Sequence, residues 1–278
     1  MPTAVDMLWT DIAAIALKVG ETMGTLHDRQ RLVLDYVVSH GEATIEELAS
    51  KFDISTMTVY RDTAELEESG LLIRRKGVVR AASSSLTESA AAIRIAKNRS
   101  TKDAICLLAS EYIRPGMSVC FDDSTTNIQL LPHLQGKEPC TVITNAEFVA
   151  STVRKTHSLS LILTGGTFIS WAEAYTGILA ERALEDLRPD ICFMSATAID
   201  NSFCYHPEQS FASIKRQMMD VSTKNILLVD SSKYARTALY RVCAVSDFDV
   251  IIVDDAMPTA FTDHVLESGA EVRIAKVR

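Results

Sequence analysis

The clearest structural pattern in this chain lies in residues 29–77, RQRLVLDYVVSHGEATIEELASKFDISTMTVYRDTAELEESGLLIRRKG. Its apolar residues recur at helical spacing in a first helix that ends before Gly41 and in a second helix that begins after Thr44. Thr44 and Glu47 have the spacing of a capping box, and Ser55 is placed to cap a third helix. Because a tight turn joins the second and third helices, the pattern predicts a helix-turn-helix.

The third helix and the segment after it carry the side chains that we expect to contact DNA. On a helical wheel Val59, Thr63 and Leu66 share the inner face, whereas Met57 and Arg61 point away from it. Residues 70–80 follow as a predicted β-hairpin, a wing that concentrates basic side chains. The predicted DNA contacts are Ser55, Thr56, Met57, Thr58, Tyr60, Arg61, Arg74, Arg75 and Lys76. The alternative is a set of ordinary helices followed by a solvated basic hairpin.

The overall composition limits the kinds of protein that this chain can be. It has 278 residues and a formal net charge of −8, which excludes a bulk nucleic-acid coater, so DNA must meet a local basic patch. The six cysteines are scattered without a C-x-x-C pair, which predicts buried, reduced thiols and a cytoplasmic protein. No apolar run is long enough to span a membrane, and no motif predicts a metal site or a cofactor.

Changes in composition and in the spacing of apolar residues along the chain predict four segments. Residues 1–26 form an N-terminal extension, 27–82 the winged helix-turn-helix, 83–113 a linker and connecting helix, and 114–278 an α/β effector-sensing domain. The extension has two interpretations, an extra helix or a natural translation start at Met23. Its apolar patch lacks the basic residues that precede such a patch in a signal peptide.

The C-terminal part alternates short apolar runs with helical patterns. Continuous apolar strands between helices predict a mostly parallel sheet that is covered on both faces, an α/β fold. The predicted strands lie at residues 118–122, 141–144, 159–164, 190–197, 225–230, 249–254 and 271–275.

Three polar loops directly follow predicted strands. FDDSTTN (121–127) and VDSSKY (229–234) offer hydroxyls, backbone N–H groups and a lysine to an anion, and LTGGTF (163–168) has a glycine pair that lets a ligand approach the backbone. Each loop alone is as easily a helix cap, a turn or a solvated surface. Because the carboxyl ends of parallel strands meet at one edge, the loops together predict a ligand pocket. None fits a nucleotide-binding fingerprint.

The recognition helix resembles that of DeoR-family transcription regulators, whose core reads Ser-x-x-Thr-Ile-Arg-Arg-Asp. The matching residues are Ser55, Thr58, Val59, Arg61 and Asp62. Tyr60 stands where the family has arginine, which implies a different operator sequence. The match extends over about fifty residues at fixed spacing.

The polar loops are similar to those of the DeoR-family C-terminal domain, which resembles sugar-phosphate isomerases and deaminases. Thr125 replaces the glycine of the family's D-S-G-T-T loop, and Ser195 and Ala198 replace two later glycines. The resemblance implies a phosphorylated sugar, sugar acid or polyol as effector. The residues implied to bind it are Asp123, Ser124, Thr125, Thr126, Thr144, Asn145, Gly165, Gly166, Asp200, Lys215 and Lys233.

We therefore expect a DNA-binding transcription regulator of carbohydrate genes, acting as a dimer or tetramer, and the resemblance favours repression relieved by the effector. One alternative is a sugar-phosphate isomerase or deaminase, with a catalytic base among Asp123, Asp200, His206 and Glu208. The acidic pair that such a site would need is absent, since Ser210 and Phe211 occupy its place. Another alternative is an adaptor that binds only protein, if the pocket binds no sugar phosphate.

Overall fold

The computed structural model describes residues 28–82, 88, 91–138, 140–156 and 158–277. The predicted N-terminal extension, residues 1–26, lies outside the described residues, as does most of the polar stretch 83–90. No helix within the described ranges is long and apolar enough to cross a membrane.

The N-terminal unit is the winged helix-turn-helix that the sequence predicts. Its helices are α1 (Asp28–His40), α2 (Ile45–Phe52) and α3 (Thr56–Glu68), and its strands are β1 (Glu42–Thr44), β2 (Leu72–Arg75) and β3 (Val78–Ala81). Strands β2 and β3 form the wing. Strand β1, which the sequence pattern did not predict, pairs antiparallel with β3 and so ties the wing to the chain ahead of α2.

The predicted helix caps are confirmed. The Thr44 N–H donates to Glu47 Oε2 at 2.7 Å, and the Glu47 N–H donates to Thr44 Oγ1 at 3.1 Å, which completes the capping box. Ser55 Oγ accepts from the Thr58 N–H at 3.1 Å at the start of α3. Each cap satisfies backbone donors that the first helical turn leaves without partners.

The inner face of α3 packs as the helical wheel predicts. Val59 and Leu66 are fully buried in one cluster with residues of α1 and α2. Asp62 is also buried on this face, where its carboxylate accepts from Arg29 Nε at 2.6 Å and from Arg29 Nη2 at 2.8 Å. Asp62, which matches the family motif, therefore fixes α3 against α1.

The C-terminal unit contains a parallel seven-stranded sheet, and its strands confirm the predicted α/β fold. They are β4 (Ser118–Phe121), β5 (Cys140–Thr144), β6 (Leu159–Leu163), β9 (Ile191–Met194), β12 (Asn225–Leu228), β14 (Val250–Asp254) and β15 (Glu271–Ala275). Their order is β15-β14-β12-β9-β4-β5-β6. The strand order reverses between β4 and β9, and such a reversal opens a crevice beyond the carboxyl ends of the strands.

Helices cover both faces of this sheet. They are α4 (Ala91–Ala96), α5 (Arg99–Ala109), α6 (Glu147–Val153), α7 (Ile178–Glu185), α8 (Gln209–Val221) and α9 (Thr259–Glu267). Val119 and Phe121 of β4 belong to the apolar core on one face, and Cys120 between them belongs to the core on the other. This alternation explains why the strand sequences are apolar throughout.

Smaller antiparallel pieces are attached to the main sheet and were not predicted. Strands β7 (Thr167–Ile169) and β8 (Ala174–Thr176) form a hairpin, and β10 (Ala198–Ile199), β11 (Phe203–His206) and β13 (Tyr240–Ala244) form a three-stranded sheet. Each is short, so its pattern of polar and apolar residues carries little signal. Strand β11 matters for the site described below, because its last residue lines a pocket.

The segment 83–113, predicted as a linker and connecting helix, contains α4 and α5. Ala91 and Ile95 of α4 and Ile105 and Cys106 of α5 are buried in the core on one face of the sheet. We therefore propose that the sensing unit begins near residue 91, before the boundary at residue 114 that the sequence pattern predicts.

Candidate functional site

The side chains on the outer face of α3 form an exposed surface. Met57 and Tyr60 are 75% and 45% exposed, values that are high for large apolar side chains on a helix. Ser55, Thr56 and Arg61 are exposed beside them, and Thr58 is half-buried. Arg75 and Lys76 are exposed at the tip of the wing. This surface carries hydroxyl, apolar and basic groups, which are the kinds of group that bind DNA phosphates and base edges.

Arg74 differs from the other predicted DNA contacts. Its Nε donates to Glu67 Oε2 at 2.8 Å, its backbone N–H donates to Glu67 Oε1 at 2.8 Å, and its Nη1 donates to the Tyr60 carbonyl at 3.1 Å. These bonds hold the pKa of Glu67 below its ordinary value. Arg74 joins the wing to α3, so a positioning role fits it better than a contact with DNA.

A polar pocket lies in the crevice where the strand order of the main sheet reverses. It is formed by the ends of β4, β9 and β11, by α4, α5 and α8, and by the turn at Ser231–Lys233. Its lining residues are Glu88, Arg94, Lys102, Asp123, Ser124, Thr125, Thr126, Ser195, Ala196, Thr197, His206, Lys215 and Lys233.

Lys215 and Asp123 line the pocket, and Asp122, which is outside the lining, pairs with Lys215. Lys215 Nζ lies 2.5 Å from Asp122 Oδ2 and 3.0 Å from Asp123 Oδ1, and all three residues are buried. Burial alone would raise the pKa of Asp123, but the Lys215 charge holds it below its ordinary value. Asp122 also accepts from the backbone N–H groups of Ser124 and Ser195 at 2.9 and 3.0 Å. This arrangement joins the loops after β4 and β9 to α8.

Two further lysines bring positive charge to the pocket. Lys102 Nζ donates to Thr125 Oγ1 at 3.0 Å and to the Arg94 carbonyl. Burial, with the charge of Lys233 nearby, lowers the pKa of Lys102 to about 7. Burial also lowers the pKa of Lys233. A bound anion would relieve the repulsion between these lysines, which is the electrostatic character of a phosphate site.

Glu88 brings a carboxylate into the same pocket. It accepts from Thr197 Oγ1 at 2.6 Å and lies 3.2 Å from His206 Nε2 and 4.0 Å from Arg94 Nη1. His206 Nδ1 lies 3.1 Å from the Glu208 backbone nitrogen and 3.2 Å from its carbonyl oxygen, and these contacts orient the ring so that Nε2 faces the Glu88 carboxylate. His206, one of the candidate bases of the alternative enzyme hypothesis, is the buried last residue of β11.

The structure brings together part of the predicted effector site. Asp123, Ser124, Thr125, Thr126, Lys215 and Lys233 line the pocket. The pocket residues that sequence reasoning did not select are Glu88, Arg94, Lys102, Ser195, Ala196, Thr197 and His206. The run SAT directly after the apolar strand at residues 191–194 was an available signal for the loop after β9, whereas nothing in the sequence around Lys102 marks it.

Three other residues predicted to bind the effector instead form hydrogen bonds that stabilise loops and turns. Thr144 Oγ1 accepts from the Ala146 N–H at 3.0 Å, and Asn145 Nδ2 donates to the Tyr175 carbonyl at 3.0 Å. Asp200 is exposed and accepts from two backbone N–H groups of its own loop and from the Tyr205 hydroxyl at 2.9 Å. None of the three is among the pocket-lining residues, so the geometry favours structural roles for them.

The glycine pair also lies outside the pocket lining, and its two members differ. A Cβ on Gly166, whose φ is +109°, would lie 2.7 Å from the Thr176 carbonyl oxygen and 2.9 Å from the Ala180 Cβ. A Cβ on Gly165, whose φ is +65°, would meet nothing within 4 Å. Gly166 therefore permits close packing of β8 and α7 on its own loop, rather than the approach of a ligand.

This difference gives a matched prediction. Gly166→Ala is expected to lower the free energy of unfolding by about 2–4 kcal/mol, because backbone strain and a steric clash add together. Gly165→Ala is expected to cost about 1 kcal/mol, the strain of a left-handed alanine alone. Urea denaturation of both variants measures the difference. Equal losses would contradict the packing role of Gly166.

Comparisons with known proteins agree with this architecture. Residues 29–85 match the DeoR-like helix-turn-helix domain, and residues 97–255 match the DeoR C terminal sensor domain. The chain is 31% identical to the L-fucose operon activator of Haemophilus influenzae, over 83% of this chain and 92% of that protein. It is 27% identical to the transcriptional repressor AccR of Agrobacterium fabrum, over 84% of this chain and 91% of that protein.

Among solved structures, ribose 5-phosphate isomerase A of Methanocaldococcus jannaschii is similar over 50% of this chain and 56% of its own. The sequence identity is 15% and the TM-score is 0.38, a similarity too low to support any conclusion about this chain.

Proposed function

Because this chain belongs to the DeoR family of transcription regulators, we propose that it binds operator DNA through α3 and the wing and responds to a phosphorylated sugar or related metabolite. The observation that carries the proposal is the presence, in one chain, of a winged helix-turn-helix and a buried pocket rich in lysine. The chain is a regulator of transcription of carbohydrate-metabolism genes, and it is not an enzyme.

The contacts that we propose with DNA start from the exposed end of α3. Ser55 and Thr56 reach backbone phosphate, Met57 and Tyr60 meet thymine methyl groups or sugars, and Arg61 reaches guanine or phosphate. Thr58 supports Ser55, since their hydroxyls are 2.9 Å apart. At the tip of the wing, Arg75 and Lys76 contact the flanking phosphates. Arg74 keeps the wing in place.

The contacts that we propose with the effector divide the pocket in two. Lys102, Lys233 and the hydroxyls of Ser124, Thr125 and Thr126 bind the anionic group, since charged donors and hydroxyls together satisfy phosphate oxygens. The remaining lining is polar, with little apolar surface to bind a hydrophobic ligand. This composition suits the hydroxyl groups of a sugar, sugar acid or polyol.

We also propose that the protein works in the cytoplasm as a homo-oligomer, a dimer or tetramer, that represses its genes until the effector binds. One winged unit buries too little DNA surface for tight binding, so two copies on one operator are expected. The relatives include a repressor and an activator by name. A reporter assay tests directly whether this protein represses or activates its genes.

The decisive experiment measures fluorescence anisotropy of labelled DNA from upstream of the protein's own gene, at fixed salt, with and without a panel of sugar phosphates. Salt is fixed because phosphate contacts make affinity steeply salt-dependent. Specific binding that one compound shifts supports both halves of the proposal. Specific binding that no compound shifts argues against the effector, and loss of all specific binding argues against the DNA contacts.

The pKa of Lys102 predicts how anion binding depends on pH. In the empty pocket this pKa is about 7, lowered by burial and by Lys233, with Arg94 and Asp230 also nearby. A bound anion favours the charged lysine, so binding takes up a proton and weakens as pH rises above 7. Sulfate is the suitable probe, because its charge is constant over this range.

The sulfate affinity of the intact protein is expected to fall about tenfold between pH 6 and pH 8, the dependence of a single linked proton. Lys102→Met is expected to bind sulfate more weakly and with little pH dependence. Calorimetric titration at several pH values makes the comparison. An unchanged pH dependence in the variant would assign the proton to another group.

A further inference from the structure

Glu88 comes from an unexpected part of the chain. It lies between the wing strand β3 and helix α4, in the stretch that leads from the DNA-binding unit to the sensing unit, and yet its side chain is only 4% exposed. Its carboxylate is held by Thr197, by His206 and, at longer distance, by Arg94, and all three line the effector pocket.

The groups around this carboxylate are those that a protein offers to a bound phosphate. They are a hydroxyl, an imidazole N–H, a guanidinium and the nearby charge of Lys233. Burial would raise the pKa of Glu88, but Arg94, His206 and Lys233 hold it well below its usual range, so the side chain is an anion at neutral pH. The pocket thus already contains an anion supplied by its own chain.

The three lysines of the pocket differ in how far their positive charge is already neutralised by the protein. Lys215 is paired with Asp122 and Asp123. Burial lowers the pKa of both Lys102 and Lys233, and the charge of Lys233 lowers that of Lys102 further, so an added negative charge would be stabilised beside them. A phosphate that binds there brings its charge close to the Glu88 carboxylate. Two anions that share the same cations repel, and they compete for the same donors.

We propose that Glu88 is an internal ligand of the effector pocket, which the anionic group of the effector displaces. The proposal rests on the proposed function. It adds a mechanism by which effector binding in the pocket influences the DNA-binding unit. With the pocket empty, Glu88 ties the chain that follows β3 to Thr197 and His206. With the effector bound, that tie is broken, and the winged unit loses one of its constraints. The effector acts by binding the released arrangement better than the tied one.

Calorimetric titration of the full chain with inorganic phosphate tests the competition. Glu88→Gln keeps the shape of the side chain and removes its charge, and Glu88→Ala removes the carboxylate entirely. Both variants are expected to bind phosphate about tenfold more tightly than the unaltered protein, a change of about 1.4 kcal/mol. Glu185→Gln removes an exposed acidic charge from α7 and is expected to leave the affinity unchanged.

Two further measurements locate the effect and connect it to DNA. Adding Lys233→Ala to Glu88→Gln is expected to abolish the gain, which places the phosphate in this pocket. Without phosphate, Glu88→Gln is expected to change operator affinity in the same direction as phosphate changes that of the unaltered protein. Thermal melting of each variant confirms that it is folded.

The outcomes separate this inference from the proposed function. Unaltered protein that binds operator and phosphate, with no gain in either Glu88 variant, overturns the inference and leaves the function standing. Weaker phosphate binding in both variants also overturns it, because Glu88 would then help to hold the ligand. A gain in phosphate affinity without a change in operator affinity overturns the coupling to DNA. Failure of the unaltered protein to bind any operator contradicts the proposed function itself.

Discussion

Replacing Arg61 by alanine is expected to lower operator affinity by about a hundredfold or more, while the protein stays folded and still binds its effector. Arg61 lies on the outer face of α3, opposite the buried Val59, and is exposed. Among the described residues it takes part in no salt bridge, in contrast to Arg74 and Arg80. A guanidinium that binds guanine contributes about 1–3 kcal/mol to the free energy of binding, and the proposed dimer would lose two of them.

Fluorescence anisotropy on the operator fragment measures the loss, and sulfate titration of the same variant checks the pocket. Arg182→Ala, which removes an exposed arginine from α7 in the sensing unit, is the matched control and is expected to bind DNA normally. The salt dependence adds detail. A uniform loss on all DNA with a shallower salt slope indicates a phosphate contact, and a loss confined to the operator indicates base reading. Normal operator binding would show that α3 is not the recognition helix.

Lys215→Met is expected to be the most destabilising single change in the sensing unit, with a loss of about 3–5 kcal/mol in the free energy of unfolding at pH 7. Lys215, Asp122 and Asp123 are 2%, 0% and 1% exposed, so the variant leaves two carboxylates buried without their cation. Removing one partner of a buried ion pair costs far more than the pair itself contributes, because the remaining charge stays out of water.

The loss is expected to shrink as the pH falls. In the unaltered protein Lys215 lowers the pKa of Asp123, so this carboxylate stabilises the fold above its ordinary pKa and stops doing so as pH falls through the lowered value. In Lys215→Met the cation is gone and burial raises that pKa instead. Protonation then removes the buried charge, so the difference between the proteins is largest near neutrality and smaller toward pH 5.

Urea denaturation followed by circular dichroism at several pH values measures this difference. Adding Asp123→Asn to Lys215→Met is expected to recover part of the stability, since one of the two buried charges is removed. Lys276→Met, on an exposed lysine near the C-terminus, is expected to change stability by less than about 0.5 kcal/mol. A loss in Lys215→Met no larger than in Lys276→Met would contradict the buried ion pair.

The elements of both units were predictable because their signals are local. The capping box at Thr44 and Glu47 and the Ser55 cap depend on residues three apart in the chain, and the structure confirms both. The strands of the main sheet were readable as apolar runs because both faces of the sheet are covered, so each run is continuous. The edge of the sheet at which we propose that a ligand binds followed from the alternation of strands and helices.

The residues of the candidate site were predictable only where a motif marks them. The loop at 123–126 follows its strand directly and reaches the pocket, whereas Thr144 and Asn145 follow the next strand and hold a turn. Strand sequence does not reveal the difference. The crevice opens between β4 and β9, and which strands become neighbours depends on how the whole chain is wound.

The winged helix-turn-helix, the parallel α/β sheet and the family could all be identified from the sequence, because periodicity, helix caps and loop motifs involve residues that are close together in the chain. The contacts between charged side chains, in contrast, became clear only from the three-dimensional structure. It engages Arg74 with Glu67, and it brings Glu88, Lys102, His206 and Lys215 together from distant parts of the chain. Such contacts depend on long-range packing, since electrostatic and hydrogen-bond partners are set by distance in space.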